Sequence, residues 1–238
     1  MGAVAWGITG AGPFLEESVE TILELLHLKI PVTVYCSKAG EALLDYYGLT
    51  ARLADNLKGP YPTGLVLESR EAPGFPSTGR LYSDIYRFAV ISPATLNTSS
   101  KIIYGISDSL VTNLASHALK NNIELFILPV DYFETSSRIP LKVDRRKCSQ
   151  CSQCVAANAC PTGALMRDDY WIVRVEPFKC KKCYKCLDHC PFDAIKFDVE
   201  ITLKPNAYYK MILDNLKEMP GVKIIKHPRE MLKLLESV

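Results

Sequence analysis

Along the first 130 residues, short continuous apolar runs alternate with longer stretches whose apolar positions recur at helical spacing. Ala3 to Thr9 is an apolar run closed by glycines, which predicts a buried strand. Pro13 to Leu28 follows, with Leu15, Val19, Ile22, Leu23 and Leu26 on one helical face and Pro13 near the start. The same reading gives strands over Pro31–Cys36, Leu65–Leu67, Phe88–Ile91 and Ile123–Leu128. Helices are predicted over Lys38–Tyr47, Leu96–Tyr104 and Ser109–Asn121, and a Pro/Gly-rich loop over Glu71–Gly79. Strands alternating with helices predict an α/β fold with a doubly wound parallel sheet, flavodoxin-like or Rossmann-like, whose ligands bind at the carboxyl ends of the strands.

The pattern breaks near residue 140 and returns near 206. Asn206–Met219 has helical spacing through Tyr209, Ile212, Leu213 and Leu216, Val222–Lys226 reads as a short strand, and Pro228–Glu236 as a last amphipathic helix. Helix, strand and helix would extend the same sheet. The expected plan is therefore one domain of residues 1–139 and 203–238 with a small α+β domain of residues 140–202 inserted after the fifth strand. An independent C-terminal extension is the other possibility.

Eight of the nine cysteines lie between positions 148 and 190, inside that insert. They form two repeats, Cys148-x2-Cys151-x2-Cys154-x5-Cys160-Pro161 and Cys180-x2-Cys183-x2-Cys186-x3-Cys190-Pro191. Three thiolates at this spacing wrap one iron–sulfur cube, and in two-cluster proteins the distant cysteine closes the cube of the other repeat. The expected quartets are Cys148, Cys151, Cys154 and Cys190 for one [4Fe–4S] cluster, and Cys180, Cys183, Cys186 and Cys160 for the second. Structural zinc uses pairs of CxxC, and disulfides suit an oxidising compartment; both remain as alternatives. The segment Tyr170–Val175, aromatic and β-branched, predicts a hairpin strand. Residues 140–200 resemble bacterial-type two-cluster ferredoxin domains, which implies two short helices and small hairpins around the clusters.

Two loops at predicted strand ends carry candidate chemistry. Thr9-Gly10-Ala11-Gly12 follows the first strand and suits a phosphate, or is simply a tight strand-to-helix turn. Ser92 to Ser100 gathers hydroxyls and an amide after the fourth strand, for a polar ring edge or phosphate, or for helix capping. The run from Ser92 to Lys120, with GITGAG (residues 7–12) and VYCSKAGE (residues 34–41), resembles the homo-oligomeric flavin-containing decarboxylase-like family. That resemblance covers residues 1–130. It implies FMN and a homo-oligomer, often trimeric, with flavin near a subunit interface. Carried over, the flavin contacts are Gly10, Ala11, Ser37, Lys38, Ser92, Ala94, Thr95, Asn97, Thr98, Asp108, Thr112 and Asn113. The decarboxylases carry Pro-Ala-Met-Asn after the fifth strand, whereas this chain reads Leu128-Pro129-Val130-Asp131-Tyr132. A flavin domain with an inserted two-cluster ferredoxin resembles the archaeal dihydromethanopterin reductases. The resemblance implies a relay from an external donor such as a ferredoxin through the clusters and FMN to a dihydropterin. A protein-to-protein electron carrier without a small substrate is the alternative.

Bulk properties change this picture little. The chain of 238 residues is 48% apolar with net charge +2, which gives no support for a nucleic-acid partner. No apolar run reaches the length of a membrane span, and the start GAVAWGITGAGPFLEE reads as a strand and turn, so the cytoplasm is the expected location. Candidate proton donors are Asp131, Tyr132 and Glu134, with water as a substitute. Lys179, Lys181, Lys182 and Lys185 surround the second cysteine repeat, either to attract an acidic donor or as a solvated face. Arg145, Arg146 and Lys147 read as solvated, His27, His117 and His189 as structural, and Cys36 as a buried core thiol.

Overall fold

In the computed structural model, which describes residues 2–236, the apolar runs become the strands of one parallel sheet. These are β1 (Ala3–Ile8), β2 (Val32–Cys36), β3 (Gly64–Leu67), β4 (Tyr86–Ala94) and β5 (Glu124–Pro129), joined from the far end of the chain by β10 (Val222–Ile224). Their order is β10-β5-β4-β1-β2-β3, every neighbour parallel. Both faces are covered, which is why β1 and β2 are buried at every position and apolar at all but Thr33 rather than at alternate ones. Val4, Trp6 and Ile8 pack on one side with α1 (Leu15–His27), α2 (Lys38–Tyr46), α3 (Thr50–Asn56) and α10 (Glu230–Glu236). Ala3 and Ala5 face the other, with α4 (Leu96–Ile103), α5 (Leu110–Lys120) and α9 (Ala207–Asp214). Helix α1 shows how the sequence achieves this: Leu15, Val19, Ile22 and Leu25 are fully buried on one stripe, and Glu16 and Glu17 sit where the helix dipole favours negative charge.

Three departures from the sequence reading have local causes. Strand β4 runs three residues past Ile91, through Pro93. Proline lacks the donor but keeps its carbonyl, and the Pro93 and Ala94 carbonyls accept from Thr9 N–H (3.3 Å) and Val130 N–H (3.1 Å). Helix α3 was invisible to periodicity because Leu53 is its one buried residue. Within the expected loop Glu71–Gly79, a 3-10 helix begins at Pro76 and continues to Ser83, anchored by buried Thr78 and Leu81.

The fully buried Trp6 donates its indole N–H to the Ser92 carbonyl at 2.8 Å. Trp6→Phe removes that donor and leaves a small void, so it should cost about 2–4 kcal/mol, read as a lowered denaturation midpoint with an unchanged slope.

The chain divides into two compact units, Met1–Thr135 with Leu203–Val238, and Ser136–Thr202. Met1, Ser237 and Val238, at the ends of the expected flavin-binding segments, lie outside the described residues. The second unit contains a ribbon of β6 (Thr135–Val143) paired with β9 (Ile195–Leu203), and the antiparallel hairpin of β7 (Leu165–Asp168) and β8 (Ile172–Val175). Its helices are single turns, α6 (Arg145–Cys148), α7 (Val155–Asn158) and α8 (Lys185–Asp188). The hairpin strand starts two residues later than expected because the Asp168 carboxylate accepts the Tyr170 and Trp171 N–H groups at 3.0 and 2.7 Å, holding both residues in the turn. Among the described residues, no helix is long and apolar enough to cross a membrane.

Candidate functional site

The connections from β1 run to β2 on one side, while β4 lies on the other, so the strand order reverses between β1 and β4. Loops leaving the carboxyl ends diverge there and open the crevice that doubly wound sheets use for ligands. Thr9, 1% exposed, ties the two sides together. Its hydroxyl donates to the Pro93 carbonyl at 2.7 Å and accepts the Thr95 N–H at 3.0 Å. The sequence reading placed Thr9 in a phosphate-type loop but did not identify this tie. The available signal was a hydroxyl at the end of a fully buried strand, directly before glycine.

Most of the expected flavin-contacting residues surround this crevice. A Cβ on Gly10 would stand 2.6 Å from the Ala39 Cβ, so only glycine lets the β1 loop lie against the start of α2. Ala11 is buried beside it. Ser37 caps α2 by accepting the Gly40 N–H at 3.1 Å, and Lys38 is exposed. Ser92 and Ala94 are fully buried, and the Ser92 hydroxyl meets Ser18 at 2.9 Å, so its side chain braces α1 against β4. Thr95 caps α4 through the Thr98 N–H at 3.2 Å, which leaves the Asn97 amide exposed. Asp108, Thr112 and Asn113 form a separate group around the start of α5. Asp108 pairs with Lys101 at 2.8 Å, Thr112 completes a capping box with Ser109, and Asn113 donates to the Ser107 and Ser109 carbonyls, both at 2.9 Å.

Two helix N-termini at this end of the sheet already carry carboxylates. Asp131 accepts the Leu96 N–H at the start of α4 (2.9 Å), and Glu68 accepts the Leu110 N–H at the start of α5 (3.1 Å). Each satisfies a terminal amide and opposes the local dipole. A phosphate is therefore disfavoured at both positions, where a carboxylate already occupies the terminal N–H. Of the candidate proton donors, Asp131 is thus engaged. Tyr132 is buried and donates to Asp214, whose carboxyl is held below the usual range by Lys217 first and by Tyr132 second. Glu134 is exposed.

In the second unit, Cys148, Cys151, Cys154 and Cys190 line one cavity with Val143, Ala156 and Ile172. Cys186 has Cys160, Cys180 and Cys183 as its charged neighbours; burial first, and these sulfurs next, push its thiol up to about 11. Burial and then the Cys154 charge likewise raise Cys148. Four thiolates crowded against apolar walls repel one another unless a cationic core sits among them, which is the charge an iron–sulfur cluster supplies. Backbone donors also point at the sulfurs. Lys182 N–H donates to Cys180 Sγ at 3.4 Å, Ala194 N–H to Cys190 Sγ at 3.3 Å, and the Thr162 hydroxyl lies 3.7 Å from Cys160 Sγ. N–H···S bonds of this kind orient cluster ligands and tune potential, so the residues present fit two clusters.

Nearby side chains sort by burial. His189 lines the first quartet's cavity with Nδ1 2.8 Å from the Lys185 carbonyl. Arg145 is exposed, as read from sequence, and also donates to the Trp171 and Val173 carbonyls at 3.0 and 2.7 Å, which the Asp168 turn brings within reach. Cys36 is fully buried, and burial raises its thiol far above the usual range.

Comparison with known proteins adds independent findings. Residues 2–135 match the family model described as Flavoprotein, and residues 140–191 match the 4Fe-4S dicluster domain. The chain is 36% identical over 236 residues to a dihydromethanopterin reductase (acceptor) of Methanosarcina mazei, covering 97% of this chain and 98% of that protein. It is also 36% identical over 234 residues to the enzyme of the same name from Methanocaldococcus jannaschii, covering 97% and 94%. Among solved structures it resembles Burkholderia xenovorans DmrB in complex with FMN, described as a cubic protein cage for redox transfer. That match has a TM-score of 0.63 at 21% identity and covers 99% of this chain and 94% of that one.

Proposed function

The chain belongs to the dihydromethanopterin reductase (acceptor) family, and from that premise we propose that it is an iron–sulfur flavoprotein oxidoreductase that reduces dihydromethanopterin to the tetrahydro level with electrons from an external donor. When bound, two [4Fe–4S] clusters supply one-electron transfer and FMN supplies the conversion of single electrons into a two-electron reduction. The observation that carries the reading is the near-full-length likeness to two reductases by a chain that contains both a switch-point crevice and two cysteine quartets.

The residues divide the work. Cys148, Cys151, Cys154 and Cys190 would hold one cluster, and Cys160, Cys180, Cys183 and Cys186 the other. Gly10, Ala11, Ser37 and Lys38 would receive the FMN phosphate, a reading supported by the carboxylates at the starts of α4 and α5. Thr95, Asn97 and Thr98 would meet the polar edge of the ring, Ser92 and Ala94 would back the crevice wall, and Asp108, Thr112 and Asn113 would act from the α5 side. Asp214, held below the usual carboxylate range by Lys217 and then Tyr132, has no proton to give at neutral pH, so the donor is sought among Asp131, Tyr132, Glu134 and water. The flavin-binding domain comprises residues 1–139 and 203–238, with the cluster domain between them. Homo-oligomerisation and a cytoplasmic location complete the proposal.

The test is anaerobic purification with iron, sulfide and flavin quantified, followed by mixing the reduced protein with dihydromethanopterin. Reoxidation of the protein with stoichiometric tetrahydropterin is expected. Failure to react with any pterin, despite full cofactor content, would make the protein a carrier between proteins.

A further inference from the structure

The two cysteine quartets differ in how they meet solvent. In the first, Cys148 and Cys154 are buried and Cys151 and Cys190 half-buried; in the second, Cys183 is exposed. Cys183 sits within the segment Lys179–Leu187, where Lys179, Lys181 and Lys185 are exposed, and where Tyr184 (46%) and Leu187 (39%) present apolar surface. Lys182 is less exposed than these; its ammonium pairs with Asp198 at 2.8 Å and its N–H serves Cys180. Tyr184 is pinned with its ring 4.8 Å from that of Phe197. An apolar centre with a cationic rim is the anatomy of a transient protein interface, and the rim sign selects an acidic partner.

We propose that this face is where electrons enter: an acidic one-electron carrier protein docks on Lys179, Lys181, Lys185, Tyr184 and Leu187 and delivers to the cluster of the second quartet. The inference rests on the reading that the cysteines hold clusters, and adds the partner's class and its landing surface. Another basic groove in this unit, lined by Lys142, Arg145, Arg146 and Lys196, is the natural comparison. It is lined by no cysteine, and its Arg145 is committed to the β8 backbone. Charge alone would choose either groove; the exposed ligand sulfur chooses the Lys179–Leu187 face.

The test uses the anaerobically purified full chain and an acidic bacterial-type ferredoxin as probe. Binding of the oxidised ferredoxin is measured by calorimetry at low and high ionic strength, and reduction of the chain by reduced ferredoxin or by dithionite is followed by stopped flow. Combining Lys179→Glu, Lys181→Glu and Lys185→Glu should weaken binding about tenfold or more at low salt, slow reduction by ferredoxin in parallel and flatten the salt dependence. Iron content, flavin content and the dithionite rate should not change. Lys142→Glu with Lys196→Glu should bind as the parent does. The proposal is overturned if the triple variant binds like the parent, if the Lys142/Lys196 variant is the one that loses binding, or if the parent does not bind the acidic ferredoxin at all. Iron-free protein would sink the underlying cluster reading instead, and metal analysis reveals that before any titration.

Discussion

Cys160→Ala should abolish the same cluster as Cys180→Ala, and Cys190→Ala the same cluster as Cys148→Ala, although Cys160 and Cys190 each lie in the opposite sequence repeat. The geometry supports this crossing. Cys190 shares a cavity with Cys148, Cys151 and Cys154, and Cys160 is a charged neighbour of Cys186. Each single variant should reduce iron from about eight to about four atoms per chain. The decisive comparison is between double variants. Cys160→Ala with Cys186→Ala should lose no more iron than either alone, whereas Cys160→Ala with Cys154→Ala should lose nearly all of it. If Cys160→Ala with Cys154→Ala retains half the iron, each repeat closes its own cluster and the crossed assignment is wrong. Electron paramagnetic resonance of the reduced singles adds a second readout, since the spin coupling between two reduced clusters disappears when either one is missing. The longer spacer before Cys160, which departs from the common three-residue pattern, is compatible with this pairing. Its five residues hold the α7 turn, and the shorter spacer before Cys190 is the end of α8 with its cap His189.

The doubly wound sheet was legible because its strands are buried on both faces and therefore written as continuous apolar runs. The spacing Leu15, Val19, Ile22 wrote α1 equally plainly. The cysteine repeats were legible because ligand spacing is a covalent constraint that tertiary packing cannot disguise. What escaped was carried by features with little one-dimensional signature. The β6–β9 ribbon is one: β9 alternates Ile195, Phe197, Val199, Ile201 and Leu203 at period two, but the surrounding cysteine motifs drew attention to short hairpins. Asp131 and Glu68 are another case. Each looks like an ordinary loop acid, and only the fold shows that both sit on helix N–H groups and so steer a phosphate elsewhere. Arg145 is exposed as read, but its bonds to the Trp171 and Val173 carbonyls left no mark in the sequence, since carbonyls occur at every residue.

Deleting the Thr9 hydroxyl should have the largest effect on flavin binding. Thr9→Val keeps the β-branched shape at the end of β1 but deletes both bonds made by Oγ1. The Thr95 N–H loses its acceptor, and the Pro93 carbonyl keeps only the longer bond from the Thr9 amide. Leaving this half-buried amide unpaired costs about 1–2 kcal/mol, toward the low end for a lost buried partner, which for a chain of this size lowers Tm by on the order of 4 °C. The effect on FMN should be larger than this stability loss suggests. Thr9 is the joint between the loop after β1 and the Thr95–Thr98 turn, and a ligand held by both loops must then fix their relative position itself. FMN affinity, measured by fluorescence titration of the apoprotein, should fall on the order of tenfold or more, since about 1.4 kcal/mol of reordering corresponds to a factor of ten. Thr9→Ser, which retains Oγ, should restore most of the affinity. Iron content should be untouched in both variants, because all eight ligand cysteines belong to the other unit. If Thr9→Val binds FMN like the parent, the crevice between β1 and β4 is not where the flavin sits.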